Sequence, residues 1–429
     1  MSYKPYDDYK DSGIEYIGKI PKHWGIKPLK YLAKTIPGGT PSTNKLEYWE
    51  NGDIPWLPSG MVQNCEICEE DAYKFITLDG LLNSATKYIG PNSVLIALTG
   101  ATCGNIALLT FKATANQSVI SIEPYSFLPK YLFYYLLSQR EQILINKTGG
   151  AQSGINEENV KNISVITMSI ADQMDIIEFL DKKTLPIDRN IANNKKLIYL
   201  LEEKRVALIH HVVTKGINPN IEMKKTTVPW AKSIPMHWNI YKGKNILIQL
   251  KRFVKSDDNI ITCFRDGEVT LRSKRREDGF TMSDKEIGYQ GIEKNDLVVH
   301  GMDGFAGAIG ISDSRGKGSP VLIVLDSNQN KKYLMYYLRN LAYNNVFLSL
   351  STGIRVRSCD LRWEKIANLP FLTPPIEEQI KIADYLDNNI SSINKSIEKI
   401  KEHIQLLEEY KSSLIYHVVT GKIDVRDEV

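Results

Sequence analysis

The sequence lacks the features of membrane, secreted and disulfide-stabilised proteins. It has no run of about eighteen apolar residues, which a membrane-spanning helix requires, and residues 1–11 are polar rather than a secretory signal. Five cysteines scattered over 429 residues are too few and too far apart for a disulfide framework. We therefore expect a cytoplasmic protein in a reducing environment, with no membrane partner.

The chain also lacks the motifs of common nucleotide-binding and DNA-modifying enzymes. No Gly-x4-Gly-Lys-Ser/Thr phosphate loop occurs, and Gly304, Gly307 and Gly310 are spaced as a turn cluster rather than a dinucleotide loop. Neither an Asn-Pro-Pro-aromatic run of an amino-methyltransferase nor a clear Asp…Glu-x-Lys nuclease centre stands out. Cys65 and Cys68 have zinc-ligand spacing without a second pair. We predict no catalytic site, no cofactor and no metal in this chain.

Charge is nearly balanced overall but basic in one segment. The net charge of +4 is too small to indicate nucleic-acid binding by itself. Between residues 251 and 276, however, basic side chains outnumber acidic ones. The basic residues of this segment are Lys251, Arg252, Lys255, Arg265, Arg272, Lys274, Arg275 and Arg276.

An internal repeat organises the sequence. Three pairs of segments match at one offset of 206 residues without a gap: residues 172–181 with 378–387, 200–203 with 406–409, and 211–214 with 417–420. Residues 20–24 and 234–238 also match, each reading Ile-Pro-x-His-Trp. The segments between have diverged. The chain therefore alternates a variable domain with a constant helical region, with predicted boundaries 1–165, 166–217, 218–372 and 373–429.

The repeated segments have the heptad spacing of a coiled coil. In the second copy apolar residues alternate steps of four and three, with Lys411 in the one polar position: Leu386, Ile390, Ile393, Ile397, Ile400, Ile404, Leu407 and Leu414. The equivalent positions of the first copy are Leu180, Thr184, Ile187, Ile191, Asn194, Ile198, Leu201, Arg205 and Leu208. Asn194 stands where the second copy has Ile400, and a polar residue in a seam typically fixes register and partner.

Two seams of equal length in one chain are most simply paired with each other. We therefore predict an antiparallel coiled coil, the alternative being two unrelated surface helices. Each copy is predicted to begin with a short helix, covering residues 378–387 in the second copy. In the first copy a break is predicted near residue 184, because Pro186 suits the first turn of a helix.

The sequence of each variable domain predicts an α+β fold. An apolar strand followed by glycines occurs at residues 93–96 in the first domain and at 297–299 in the second. Amphipathic helices are predicted over residues 130–145 and 332–348. The overall prediction is an α+β protein with two globular domains, two long helices and a pseudo-twofold internal repeat.

Polar and basic side chains of the variable domains are of the types that contact DNA. Arg and Lys suit guanine, Asn and Gln suit adenine, and Ser and Thr are adaptable, while phosphates attract Lys, Arg and hydroxyls. For each basic residue, the alternative is a solvated surface charge. The candidates in the first domain are Thr40, Ser42, Asn44, Lys45, Thr99, Thr102, Gln152 and Ser153. Those in the second are Lys251, Arg252, Arg272, Lys274, Arg275, Arg276, His300, Arg355 and Arg357.

With this organisation the chain resembles the specificity subunit of type I restriction–modification systems. The resemblance rests on residues 18–24 (Gly-Lys-Ile-Pro-Lys-His-Trp), 38–42 (Gly-Gly-Thr-Pro-Ser), 374–379 (Pro-Pro-Ile-Glu-Glu-Gln) and 417–424 (His-Val-Val-Thr-Gly-Lys-Ile-Asp). It extends over residues 16–424. The first copy departs from the pattern, since it lacks the Pro-Pro found at 374–375.

The resemblance implies that each variable domain is a target-recognition domain for one half of a split site in double-stranded DNA. The coil would set the spacer between the halves. The subunit would have no catalysis of its own. It would bind two modification subunits, which methylate adenine with S-adenosylmethionine, and restriction subunits with motor and nuclease activity, which use ATP and magnesium. None of these cofactors is expected to bind this chain.

Two other functions are compatible with the sequence. One is a nuclease or methyltransferase with an unrecognised site, which would cleave or methylate DNA by itself. The other is a coiled-coil scaffold with two protein-binding domains, in which neither domain would bind a DNA duplex at low salt.

Overall fold

The computed structural model describes residues 3–145, 154–275, 287–350 and 361–428. Internal contacts divide the chain into two units. Unit 1 comprises Met1–Asn194 and Glu402–Val429, and unit 2 comprises Lys195–Lys401. Each of the two long helices is therefore shared between the units, and each unit contains one half of both.

Unit 1 mixes short strands with helices. Its strands are β1 (Tyr9–Asp11), β2 (Lys19–Pro21), β3 (Gly25–Pro28), β4 (Ala33–Pro37), β5 (Ile54–Leu57), β6 (Cys65–Ile67), β7 (Phe75–Ile76), β8 (Ser93–Ala97), β9 (Ile106–Leu109), β10 (Thr114–Ala115), β11 (Val119–Pro124) and β12 (Ser164–Thr167). Its helices are α1 (Leu78–Leu82), α2 (Pro129–Ser138), α3 (Arg140–Ile145), α4 (Glu157–Lys161) and the first half of α5 (Ile170–Lys215).

A five-stranded sheet in the order β4-β11-β8-β9-β6 forms the centre of unit 1. β11 runs antiparallel to β4 and β8, and β6 runs parallel to β9. Along β8, Val94 and Ile96 pack in one cluster with the tyrosines of α2, whereas Leu95 and Ala97 pack in a second cluster. Because side chains alternate along a strand, both faces of the sheet are covered, and the strand is apolar without interruption.

Unit 2 repeats this organisation. Its strands are β13 (Met223–Lys225), β14 (Ser233–Pro235), β15 (Asn239–Lys242), β16 (Ile248–Leu250), β17 (Ile261–Cys263), β18 (Val269–Leu271), β19 (Gln290–Ile292), β20 (Leu297–His300), β21 (Ile309–Ile311), β22 (Gly316–Gly318), β23 (Leu322–Asp326) and β24 (Pro370–Thr373). Its helices are α6 (Lys331–Tyr343), α7 (Val346–Ser349), α8 (Trp363–Asn368) and the first half of α9 (Ile376–Val419).

The main sheet of unit 2 has the order β16-β23-β20-β21. As in unit 1, the central strand is buried on both faces: Leu297 and Val299 pack with α6, and Val298 packs in a separate cluster. The mixture of helices and strands predicted from the sequence is confirmed, and so are the strands predicted at residues 93–96 and 297–299.

The two amphipathic helices predicted in the variable domains are each interrupted. The first ends at Ser138, and α3 begins at Arg140. The second ends at Tyr343, before Asn345, whose φ of 59° lies in the left-handed region that a helix interior excludes. The prediction of one continuous helix over 130–145 and one over 332–348 was therefore wrong, although the helices themselves are present.

The long helices α5 and α9 each run unbroken. The break predicted near residue 184 is absent, and Pro186 lies inside α5. A proline removes one backbone hydrogen bond from a helix interior, but Thr184 and Ile187 on either side of it are buried. Packing of this face therefore keeps the helix continuous. The separate short helix predicted at residues 378–387 is likewise wrong, since it is the start of α9.

The predicted seam positions are buried or half-buried in both helices. The half-buried ones are Asn194, Ile198, Leu201, Arg205 and Leu208 in α5, and Ile400, Leu407 and Lys411 in α9. The buried seam residues are Leu180, Thr184, Ile187 and Ile191 in α5, and Leu386, Ile390, Ile393, Ile397, Ile404 and Leu414 in α9. Within the described part of the chain, no helix has the length and apolar character needed to cross a membrane.

A three-residue joint fastens the first long helix to the variable part of unit 1. Asp181 on α5 accepts a hydrogen bond from the Tyr134 hydroxyl on α2 at 2.6 Å, and its other oxygen lies 2.9 Å from the Lys130 ammonium. A carboxylate with two partners of this kind holds two helices in a fixed relation, because both hydrogen bonds are charge-assisted.

Unit 2 contains the same joint. Asp387 on α9 accepts from the Tyr336 hydroxyl at 2.6 Å and pairs with the Lys332 ammonium at 2.6 Å. The glutamines near the helix starts repeat as well, since Gln173 accepts from the Leu128 backbone N–H and Gln379 from that of Asn330. The repeat thus preserves the attachment of each variable part to a long helix.

The repeated tryptophan segments, residues 20–24 and 234–238, pack against glycines at the ends of the long helices. In unit 1, buried Trp24 and Pro21 lie against Gly421, and in unit 2 Trp238 lies against Gly216. Both glycines have positive φ, 70° and 77°, as expected of residues that end a helix. The two ends of the described chain meet in unit 1, where the Asp424 N–H donates to the Lys4 carbonyl at 2.8 Å.

We expect Gly421→Ala to destabilise the protein more than Gly13→Ala. The φ of Gly13 is also positive, at 72°, but a Cβ there meets nothing within 4 Å, whereas at Gly421 it would lie 2.3 Å from Pro21 Cδ. Both variants incur the backbone cost of about 1–2 kcal/mol. Gly421→Ala adds overpacking of about 1–3 kcal/mol. Urea unfolding followed by tryptophan fluorescence measures both, and equal losses of unfolding free energy would contradict the proposed close packing.

Candidate nucleic-acid interface

Candidate residues of unit 1 meet at one edge of the five-stranded sheet. Pro37 at the end of β4 and Ala97 at the end of β8 flank the start of β11, opposite Ile120 and Val119. The loops that leave these strands therefore lie side by side. We call residues 38–45, 98–104 and 116–118 the loop edge of unit 1.

Hydrogen bonds join these loops through side chains of the kind that read base edges. The Thr40 hydroxyl donates to the side-chain oxygen of Gln117. The Thr99 hydroxyl donates to Ser118 Oγ at 2.8 Å, and the Leu98 N–H donates to the Ser118 carbonyl at 2.8 Å. Gln117 and Thr99 are exposed. The loop edge thus presents an exposed amide and hydroxyls on a fixed backbone.

Two glycines allow the first loop to approach neighbouring backbone segments. A Cβ on Gly38 would lie 2.0 Å from the Asn116 carbonyl oxygen, and one on Gly39 would lie 2.4 Å from the Thr86 backbone nitrogen. No side chain fits at such distances from backbone atoms, so the Gly-Gly pair before Thr40 is required by packing. Thr40 is half-buried, and the residues that follow, Ser42, Asn44 and Lys45, are exposed.

A fourth segment, at residues 154–155, contacts this edge. The Ile155 N–H donates to the Leu98 carbonyl at 2.9 Å, and Gly154 lies against Thr99. Residues 146–153 precede this contact, and the candidates Gln152 and Ser153 lie outside the described residues. Thr102, also a candidate, is half-buried in the short turn after Thr99.

Unit 2 forms the same edge with different side chains. The Gly301 N–H donates to the Val321 carbonyl at 2.8 Å, and the Leu361 N–H donates to the Gly301 carbonyl at 3.0 Å. These are the counterparts of the bonds from Leu98 and Ile155. The loop after β16, which begins at Lys251, leaves the sheet at the same end, because β16 and β20 both run antiparallel to β23. We call residues 251–255, 300–304 and 319–321 the loop edge of unit 2.

The candidate Arg252 is tied to the protein interior. Its guanidinium makes a bidentate ion pair with Asp296, a residue 3% exposed, and one of the two hydrogen bonds measures 3.2 Å. This pairing raises the pKa of Arg252. The arginine therefore orients its loop, whereas its neighbour Lys251 is exposed on the loop edge.

Other basic candidates form surface ion pairs. Lys274 contacts Asp313 at 3.0 Å, Arg275 bridges Asp266 and Glu268, and Arg272 Nε donates to the Thr262 hydroxyl at 3.3 Å. Exposed ion pairs of this kind contribute little to stability. Their positions in the turn after β18 place them outside the loop edge of unit 2.

His300 and Lys45 have local partners. His300 Nδ1 accepts a hydrogen bond from the Asp303 N–H at 3.0 Å, and burial lowers the pKa of this histidine. The neutral ring thus stabilises the turn after β20. Lys45 Nζ donates to the Tyr48 hydroxyl at 3.0 Å.

The remaining candidates lie in the helices or outside the described residues. Asn194 donates from its side-chain amide to Asn190 at 3.3 Å within α5. Arg276, Arg355 and Arg357 lie outside the described residues.

Sequence reasoning missed several residues of these edges. Gln117 and Ser118 follow Asn116, and this run of three polar residues directly before a buried strand could have indicated them. Phe253, at 97% exposure, was also missed, although an aromatic residue inside a basic cluster is a recognisable signal.

The cysteine pair gives no sign of a metal site. Among the described residues, no group of three or more His, Cys, Asp or Glu side chains is arranged to hold an ion. Cys65 and Cys68 are both exposed free thiols.

We predict that Arg252→Ala destabilises the protein and that Lys251→Ala does not. Arg252→Ala leaves Asp296 buried without its cation, which should lower the unfolding free energy by about 2–3 kcal/mol, below the range for a fully buried pair because the arginine is partly exposed. Lys251→Ala should leave stability unchanged within about 0.5 kcal/mol. Denaturant unfolding of both variants measures this, and an Arg252→Ala protein as stable as the parent would refute the structural role.

Comparison with known proteins places the chain in a family. The profile described as Type I restriction modification DNA specificity domain matches residues 21–203 and 283–406, together more than half of the chain. The chain is 34% identical over 190 residues to the Type I restriction enzyme EcoR124I/EcoR124II specificity subunit of Escherichia coli. That match covers 42% of this chain and 45% of that subunit, less than half of its length.

Two further comparisons cover nearly the whole chain. The Type I restriction enzyme StySPI specificity subunit of Salmonella potsdam is 20% identical over 417 residues, 90% of this chain and 88% of that subunit. A solved structure described under "complex assembly and conformational transition of the type I R-M system" shares the fold, with a TM-score of 0.64, 14% identity, and coverage of 94% of this chain and 99% of that chain. The chain belongs to the family of type I restriction–modification DNA specificity subunits.

Proposed function

We propose that this protein is the DNA sequence-specificity subunit of a type I restriction–modification complex, with one half of a bipartite target read at each loop edge. One observation carries the proposal: equivalent backbone hydrogen bonds, Leu98 to Ser118 and Ile155 to Leu98 in unit 1, Gly301 to Val321 and Leu361 to Gly301 in unit 2, join three loops in each unit. Similar scaffolds with different contact groups suit two readers of different sequences. Two unlike readers in one chain define an asymmetric site, whereas a symmetric dimer would read a palindrome.

The two edges differ in chemistry. Thr40, Thr99 and Gln117 of unit 1 offer hydroxyls and an amide, which suit hydrogen bonds to base edges. In unit 2 the exposed Lys251 and Lys255 offer cations for phosphates. Lys274 and Arg275 of unit 2 would add phosphate contacts by exchanging their surface carboxylates, and Arg355 and Arg357 remain candidates for base contacts.

We further propose that α5 and α9 form an antiparallel coiled coil that sets the spacer between the half-sites. Within unit 1, Lys411 Nζ lies 2.6 Å from Asp188 Oδ1. Within unit 2, Arg205 donates to Asn394 Oδ1 at 3.0 Å. The residue numbers of each pair add up to the same value, as one antiparallel register requires. Arg205 and Lys411 occupy equivalent seam positions of the two copies, and Asn194 against Ile400 would distinguish the copies in this register.

The domain boundaries 1–165, 166–217, 218–372 and 373–429 remain part of the proposal. So do the partners: double-stranded DNA, two modification subunits that methylate adenine, and restriction subunits. On this account the chain supplies recognition and no catalysis, and acts in the cytoplasm.

Adenine methylation in the host genome tests the function. Sequencing that detects methylated adenine should reveal a split motif that disappears when this gene is deleted. Replacing residues 218–372 with the corresponding domain of a relative should change one half of that motif only, and replacing residues 1–165 should change the other. Changes in both halves after either exchange, or a motif that survives deletion of the gene, would contradict the proposal.

A further inference from the structure

The loop after β16 is anchored at both ends by buried carboxylates. Arg252 pairs with Asp296, and Asp258, a residue 7% exposed, pairs with Arg315 through hydrogen bonds of 3.0 and 3.2 Å. Asp258 also accepts from the Lys255 N–H at 2.8 Å. Buried carboxylates that each bind an arginine in two places fix the backbone on either side of residues 253–254.

The backbone at the first anchor has further support. The Gly291 N–H on β19 donates to the Arg252 carbonyl at 2.9 Å. A Cβ on Gly291 would lie 2.7 Å from the Phe253 carbonyl oxygen, so only glycine admits the loop this close to β19. The backbone position of Phe253 is thus set by the surrounding fold.

Between these anchors Phe253 projects into solvent. It is 97% exposed, more than any other large apolar side chain among the described residues; the next is Ile287 at 77%. Burying a phenylalanine would be favourable by about 1.5–3 kcal/mol. Phe253 nevertheless stays exposed, on a loop whose backbone is held at both ends. Such an arrangement presents an aromatic ring to a partner.

The surroundings of Phe253 indicate which partner. Exposed Lys251 and Lys255 stand two residues before and after it, and the loop belongs to the loop edge of unit 2. A flat apolar ring between two cations matches the chemistry of nucleic acid, in which stacked bases lie between two lines of phosphates. A purely apolar protein surface would give the lysines no counter-charge.

We propose that Phe253 inserts as a wedge between two stacked base pairs of the half-site bound by unit 2, while Lys251 and Lys255 contact the flanking phosphates. The inference rests on the proposed function. Partial unstacking by an apolar side chain favours steps that deform easily, such as pyrimidine–purine steps. Phe253 would therefore determine specificity at one step without a hydrogen bond to either base pair.

Fluorescence of 2-aminopurine tests this wedge. The full chain, assembled with its modification subunits, is bound to duplexes that carry the split motif from the methylation map, with 2-aminopurine placed at each step of the second half-site in turn. Fluorescence should rise at one step with the parent protein and with Phe253→Trp, and stay at the level of free duplex with Phe253→Ala. Affinity for the motif should fall roughly 5- to 100-fold in Phe253→Ala.

Tyr125→Ala is the matched control. Tyr125 is 70% exposed and follows β11 at the sheet end away from the loop edge of unit 1, so its removal should change neither fluorescence nor affinity. A Phe253→Ala complex with unchanged affinity and fluorescence would overturn the wedge. Lower affinity without a fluorescence rise in the parent would also overturn it, in favour of a contact at the outside of the base stack.

Two other outcomes separate the wedge from the proposed function. If Phe253→Ala fails to assemble with the modification subunits, the ring binds protein and the wedge is wrong, while the function stands. If no split motif exists in the methylation map, the proposed function fails, and the inference about Phe253 falls with it.

Discussion

Both units depend on one interaction, the carboxylate joint between a long helix and the helix that covers the sheet. Asp181 in unit 1 and Asp387 in unit 2 each bind a tyrosine hydroxyl and a lysine ammonium. A second contact is also repeated: Tyr131 and Tyr333, which cover the sheets, each donate to a backbone carbonyl of the strand before the long helix. Because this attachment is common to both copies, the loops beyond it are free to differ.

The sequence predicted the long-range organisation but few of the contacts. The positions that the heptad spacing and the repeat offset predict as a seam are buried or half-buried in α5 and α9. Such periodicity can be read from the sequence because it depends on backbone geometry alone. Pro186 misled the prediction, since packing on both sides of it outweighs one lost hydrogen bond. The pairing of Arg252 with Asp296 could not be foreseen, because the partners are 44 residues apart and meet only through the sheet.

The contacts within the loop edges could not be predicted either, because their residues are also far apart in the sequence. Thr40 and Thr99 were candidates by residue type, but only the register of β4, β11 and β8 brings their loops together. The structure also distinguishes two neighbouring basic residues: Arg252 is paired with a buried carboxylate, whereas Lys251 is exposed. A list of basic residues in the sequence cannot make this distinction, since it depends on where the nearest carboxylate lies.

The central claim is that each loop edge contacts its own half of one DNA target. Site-specific photocrosslinking tests it most directly, with a photoreactive amino acid at Gln117 or at Lys251 in the assembled complex on its methylated motif. The account predicts that crosslinks from Gln117 fall in one half-site and those from Lys251 in the other. Crosslinks from both positions to the same half, or none from either, would contradict it.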